Sequence, residues 1–311
     1  MKFVKEKIRN FLKMFKEDEV NIQIQTTSIC NGKCIICPYV GSWYDSNPGV
    51  MSDEVFDKVL EEIKPLKIDK FCPYLMNEPL ADPKIFERLE KIKELKNFNY
   101  IEFATNGILL NEERAEKLID ALKDIEHKVC ISFHGTNKEN YNEIMKLDFD
   151  KSIHNICNFL VKADGKLKIW VRGGGMPLKN GAPTWFSEKE YKDFWEKKFE
   201  SLNLKKPPKI DFFTYIDRAD NLTDKRLSAN FRRKSMKGFK CDRIGGWLHF
   251  NYEGDMIICC MDYHKEEVLG NITKNTLNEI KNSSRMKEVF GKAKGEIESS
   301  DNFICKRCLF R

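Results

Sequence analysis

The chain has 311 residues, 41% hydrophobic and 33% charged, with a net charge of +6. That is room for one large domain and a smaller one, and no apolar run approaches the roughly 18 residues of a membrane span, so stable membrane insertion is not expected. The mild charge permits an anionic substrate without arguing for nucleic acid, and eleven cysteines without a secretory signal point to metal ligation in a reducing cytoplasm, not to a disulfide framework.

Residues 1–20 read as an amphipathic helix. Val4, Ile8, Phe11, Leu12 and Phe15 share one face, with Lys2, Lys5, Lys7, Lys13 and Lys16 around it. Such a helix lies on a membrane surface or packs on its own protein. A strand follows over 21–26 and leads into Cys30, Cys34 and Cys37, spaced Cys-x-x-x-Cys-x-x-Cys. Three thiolates are an odd set. Four would close an iron–sulfur cubane, whereas three leave one iron open to bind a small molecule. Zinc ribbons use Cys-x-x-Cys pairs instead, and a disulfide scheme leaves one thiol over. Asn31 and Gly32 suit a tight loop, because both tolerate positive φ.

From here strands and helices alternate. Ser52 caps a helix over 53–64. A strand over 70–75 ends at Met76-Asn77-Glu78-Pro79, and Pro83 opens a helix over 83–95. The third strand, 100–105, ends at Thr105-Asn106-Gly107, and Asn111 caps a helix over 112–122. The fourth, 128–133, carries Ser132 and is followed by His134; helices over 138–146 and 151–162 come next. The fifth, 167–172, ends at Arg172 before three glycines, read as a loop or as a place where backbone approaches a substrate. A helix over 188–202 and a strand over 209–216 close the series. Cys72, Cys130 and Cys157 fall inside elements and read as small apolar fillers. Six strand–helix units in series imply a parallel sheet with right-handed crossovers. A full barrel needs eight, so the fold expected is α/β, a partial (β/α)6 TIM-like barrel over 21–216, with its site at the carboxyl ends of the strands.

After 216 the alternation stops. Residues 217–311 read as a small cysteine-rich domain, with strand-like runs over 247–250 and 256–259 joined by Tyr252-Glu253-Gly254-Asp255 as a hairpin turn, and a single helix over 277–290. Cys241, Cys259, Cys305 and Cys308 can close a four-thiolate site, which by chemistry alone suits zinc or an iron–sulfur cluster. Cys259 and Cys260 are neighbours, and alternate strand residues face opposite ways, so only one is expected to be a ligand.

The triplet resembles that of the radical S-adenosylmethionine superfamily. The resemblance implies that Cys30, Cys34 and Cys37 hold a 4Fe–4S cluster whose fourth iron binds S-adenosylmethionine. One-electron cleavage then gives a 5′-deoxyadenosyl radical that abstracts hydrogen from a substrate. The tail, with Gly254-Asp255-Met256 and Leu269-Gly270-Asn271-Ile272 around its cysteines, is similar to the SPASM and twitch extensions of that family. It has too few cysteines for two four-thiolate clusters, so one auxiliary 4Fe–4S cluster is implied, on Cys241, Cys259, Cys305 and Cys308. The same resemblance places Glu78 and Asn77, Asn106, Ser132 and Arg172 beside S-adenosylmethionine. The family usually has Gly where Asn77 stands. Arg218, at the junction with the tail, is a substrate-contact candidate, and His134 is an acid–base candidate. Two clusters around a substrate suit oxidation of a sugar- or cyclitol-like metabolite, as in one-cluster aminocyclitol-oxidising members, with flavodoxin or ferredoxin as electron donor. Modification of a ribosomal peptide and a non-catalytic zinc protein are the alternatives.

Overall fold

The computed structural model describes residues 19–175, 185–215, 217–224 and 227–309; the amphipathic helix expected at the N-terminus lies outside them. Nine strands form one sheet: β1 Val20–Ile24, β2 Ile68–Cys72, β3 Phe98–Thr105, β4 His127–Ser132, β5 Ile169–Gly175, β6 Lys209–Thr214, β7 Trp247–Phe250, β8 Asp255–Ile257 and β9 Val268–Asn271. Their order is β6-β5-β4-β3-β2-β1-β7-β8-β9. Strands β1 to β6 pair in parallel in sequence order, which makes the partial barrel expected. The tail does not build a sheet of its own. β7 adds to the free side of β1 as a further parallel strand, with Asn21 opposite Trp247, and β8 runs antiparallel to both β7 and β9.

Helices cover the outer face: α1 Asp53–Ile63, α2 Ile85–Leu95, α3 Glu112–Leu122, α4 Lys138–Met145, α5 Phe149–Ala163 and α6 Glu188–Ser201. Ser52 and Asn111 cap α1 and α3 as expected, each accepting a backbone N–H in the first turn. Beneath these helices Ile22, Ile24, Phe71, Ile101, Phe103, Val129, Ile131 and Val171 are buried. The residues between them on the strands turn to the concave side. Many of them are polar: Gln23, Lys70, Glu102, Lys128, Ser132, Arg172 and Asp211 line a cavity there.

Two expectations need correction, and one strand was not foreseen. The helix over 277–290 is two, α7 Leu277–Asn282 and α8 Ser284–Lys294. Ser283 sits between them in extended conformation, donating to Ile280 O and accepting from Met286 N; its hydroxyl competes with the helical ladder. β9 has only four residues, of which just Leu269 is buried, too weak a pattern to stand out. The three glycines after Arg172 are not a loop. They extend β5, and a Cβ at Gly173 would lie 2.5 Å from the Tyr191 ring and one at Gly174 2.9 Å from Phe213. The glycines admit aromatic rings, not substrate.

Candidate active site

The three cysteines of the first loop stand together past the carboxyl end of β1. Cys37 N–H donates to Cys34 O at 3.0 Å, and Cys30 N–H donates to the Tyr39 hydroxyl at 3.2 Å. The Cys34 thiol faces Met145 O at 3.4 Å. Burial pushes the Cys30 thiol up, with Glu78 and Cys37 adding to it, and burial with Cys37 and Cys30 does the same to Cys34. Neutral thiols pressed together in this way are relieved by a cation that takes them as thiolates. Gly32 does not adopt positive φ, contrary to expectation. Instead, a Cβ there would lie 3.4 Å from Cys34 Sγ and 3.8 Å from Cys30 Sγ. The glycine keeps the space between two sulfurs clear, as a bulky inorganic group would require.

Glu78 is the tie behind this loop. Its backbone N–H donates to Ile29 O at 3.1 Å, next to Cys30. Its carboxylate accepts from Thr105 Oγ1 at 2.7 Å, Asn106 N at 2.7 Å and Leu80 N at 3.1 Å. Burial raises its pKa to about 7 against the pull of those donors. Asn106 Nδ2 in turn donates to Asn31 Oδ1 at 2.8 Å, so the end of β3 fixes the loop that carries the cysteines. Asn77 accepts from Leu75 N at 2.9 Å while its buried Nδ2 has no partner among the described residues. Replacing Glu78 by Ala orphans three buried donors at about 1–3 kcal/mol each. The expected result in denaturant unfolding is a loss of several kcal/mol, with Glu78→Gln losing much less.

Ser132, His134, Arg172 and Arg218 all line the concave cavity, about 600 Å³ in volume. Arg172 Nε donates to Asp211 Oδ2 at 2.9 Å across β5 and β6. Arg218 packs 5.7 Å from the Tyr215 ring. Burial works against its charge, but Tyr215, Tyr263, Cys37 and Cys260 around it hold it protonated. Tyr263 Oη lies 3.9 Å from Cys37 Sγ, so Arg218 and Tyr263 fill the seam between the triplet and the tail.

His134, the acid–base candidate, is held neutral in this cavity. Burial drives its pKa down to about 3, helped by Arg218 and Arg172, and its buried Nδ1 has no partner among the described residues. It is a neutral hydrogen-bonding group. The unfolded chain takes up this proton near pH 6.5 and the folded one only near 3, so folding stability present above 6.5 is lost as pH falls toward 3, at up to about 1.4 kcal/mol per pH unit. Denaturant unfolding from pH 7 to 4 is expected to show wild type losing more stability than His134→Gln.

Sequence reasoning missed the charged floor of this cavity. Lys70 Nζ and Lys128 Nζ stand 3.4 and 3.5 Å from Glu102 Oε2, and Tyr74 donates to Glu102 Oε1 at 2.5 Å. The available signal was single charged residues at alternate positions of otherwise apolar parallel strands, which a sheet covered on both faces would not carry.

In the tail, Cys241, Cys259, Cys305 and Cys308 line one small cavity walled by Phe239, Ile244, Met261 and Ile304. Cys260 lines the barrel cavity instead. The expected strand stops at Ile257, so the division between the two thiols arises in the turn after β8 and not from strand alternation. Burial raises the Cys305 thiol, with Cys308 and Cys241 adding to it. Among the described residues no group of three His, Cys, Asp or Glu is placed to hold a single metal ion. A cubane takes one thiolate per iron and asks for a wider arrangement. No helix among the described residues is long and apolar enough to cross a membrane.

Residues 24–176 match the family model of the radical SAM superfamily, and residues 241–309 match that of an iron–sulfur cluster-binding domain, SPASM. No curated protein matches the chain. Solved structures share its fold at low identity. BtrN in complex with AdoMet and 2-DOIA is 14% identical, covering 94% of this chain and 92% of its own, with a TM-score of 0.54. Streptococcus suis SuiB bound to precursor peptide SuiA is 13% identical, covering 99% and 75%, with a TM-score of 0.60. anSMEcpe with bound AdoMet and Cp18Cys peptide is 20% identical, covering 93% and 88%, with a TM-score of 0.54. These likenesses establish the fold and leave the substrate open.

Proposed function

This chain belongs to the radical SAM superfamily and carries a SPASM iron–sulfur domain, and from that premise we propose that it abstracts hydrogen from a small polar metabolite, sugar- or cyclitol-like, in a net oxidation. The observation that carries the reading is the cavity. It is about 600 Å³, within the range of small-ligand sites, and is lined by hydroxyl, imidazole and charged side chains with Cys260 of the tail in its wall.

The family implies a 4Fe–4S cluster, S-adenosylmethionine and further iron–sulfur chemistry in the tail. In our reading Cys30, Cys34 and Cys37 hold the first cluster and Cys241, Cys259, Cys305 and Cys308 a second 4Fe–4S cluster. When bound, the first would supply the electron that cleaves S-adenosylmethionine to the hydrogen-abstracting radical, and the second would accept the electron that the substrate radical gives up as its hydroxyl proton passes to a base, for which His134 is the candidate. The protein contributes placement. Glu78, Asn77 and Asn106 shape the rim on which the methionine end rests. Ser132 and Arg172 face the cavity just below it. Arg218 is placed to contact the substrate between the two cysteine sets, and the neutral His134 can accept a hydrogen bond from a substrate hydroxyl. A flavodoxin or ferredoxin is the electron donor we favour.

Anaerobic reconstitution with iron and sulfide tests this. About eight irons per chain, the content of two cubanes, and reductive formation of 5′-deoxyadenosine from S-adenosylmethionine are expected. Iron binding without cleavage would refute the enzyme reading.

A further inference from the structure

We propose that the substrate carries a phosphate group, seated on the floor of the cavity by Lys70, Lys128 and Arg243. This deepens the reading that the cavity is the substrate site and rests on it. Lys128 lies four residues before Ser132 on β4, roughly 13 Å down the strand from the rim. Hydrogen abstraction at the rim has no use for charge at that depth. S-adenosylmethionine, itself bearing a sulfonium, does not call for it either.

Two ammoniums share one carboxylate there: Lys70 and Lys128 both approach Glu102 Oε2. Burial opposes the charge on Glu102, yet Lys70, the Tyr74 hydroxyl and Lys128 hold its carboxyl below the ordinary value, so it is an anion that one of the two lysines suffices to balance. On the neighbouring wall the Lys70 ammonium and the Arg243 guanidinium lie 5.5 and 5.0 Å from the Trp247 ring. The other acid in the cavity, Asp211, is taken by Arg172 at 2.9 Å. Two lysines against one carboxylate therefore leave the floor a positive surplus. Its donors come from β2, β4 and the tail, three directions that the three outer oxygens of a phosphate can each meet, and a phosphate carries more negative charge than a single carboxylate to set against that surplus. Beside them Gln23, only 6% exposed, has an Oε1 without a partner among the described residues and lines the same cavity. It is an acceptor for a hydroxyl of the group that bears the phosphate.

Calorimetric titration of the reconstituted holoenzyme with glucose 6-phosphate, inorganic phosphate, glucose and succinate tests this. Glucose 6-phosphate is expected to bind saturably below about 1 mM, with inorganic phosphate weaker and glucose undetectable. Lys70→Met and Lys128→Met each leave Glu102 one lysine partner, so folding is retained, as iron content and melting temperature will check. Each is expected to weaken glucose 6-phosphate binding about tenfold. Glu102→Gln keeps an acceptor for Tyr74 but removes the carboxylate that both lysines approach, and is expected to tighten binding severalfold, which a merely structural cluster would not do. Succinate binding as tightly as the sugar phosphate, no saturable phosphate binding below about 10 mM, or lysine variants that bind like wild type would each overturn the proposal. Cleavage of S-adenosylmethionine by the same wild-type preparation separates the two levels. Cleavage without phosphate binding sinks only the substrate class, whereas no cleavage sinks the radical reading itself.

Discussion

Replacing Cys30, Cys34 and Cys37 together by alanine is expected to reduce 5′-deoxyadenosine formation below detection while the tail keeps its metal. The three thiols share one loop, pinned by Cys37 N–H to Cys34 O and by the Tyr39 hydroxyl under Cys30. Glu78, behind the loop, does not stand in for them: it spends its carboxylate on Thr105, Asn106 and Leu80. Each substitution removes one sulfur from a partly exposed loop, so the fold is expected to survive. Iron content should fall from about eight to about four per chain, one cubane's worth. Retained cleavage, or loss of all the iron, would show that the triplet does not act as a separate centre.

The second large effect is a contrast between neighbours. Cys259→Ala is expected to remove the tail cluster, to halve the iron and to stop substrate oxidation, while S-adenosylmethionine is still cleaved. Cys260→Ala is expected to keep the full iron complement. The reason is placement: Cys259 shares its cavity with Cys241, Cys305 and Cys308, and Cys260 faces the barrel with Arg218 and Tyr263. Iron analysis and the iron–sulfur absorption of each variant decide it. Equal iron in the two, or the reverse order, would assign the ligand to the wrong residue. Cys259 and Cys260 are adjacent in sequence, so under the proposed oxidation an electron leaving a substrate beside Cys260 would have little protein to cross.

Much of the barrel was legible because its elements are local. The helix Glu112–Leu122 lies where the 3.6-residue pattern puts it, and the strand Trp247–Phe250 follows from its apolar run and the turn after it. The two cysteine sets were visible as spacings along the chain, and the structure brings the members of each close together. The pairing of β7 with β1 was not, because Asn21 and Trp247 are joined by no periodicity. The role of Gly32 was misjudged for a related reason. Its residue type suggests a turn, whereas its function is a volume shared with Cys30 and Cys34, and volumes are not visible in one dimension. The lysines of the floor were visible as residues, but only the sheet shows that Lys70 and Lys128 converge on Glu102.

The pairing of β7 with β1 also bears on how the chain keeps itself from aggregating. A strand at the edge of a sheet is a template for other chains unless it is covered, and β1 is the strand that feeds the cysteine loop. With residues 247–250 hydrogen-bonded along it, β1 is interior, and the margin on that side passes to β9, only four residues long. A chain cut after β6 would carry a bare, apolar β1 beside its most reactive thiols. It is expected to accumulate as insoluble material even though every residue of the barrel is present. The tail is thus a guard for the first strand as well as a seat for metal, and the two halves have to be made together.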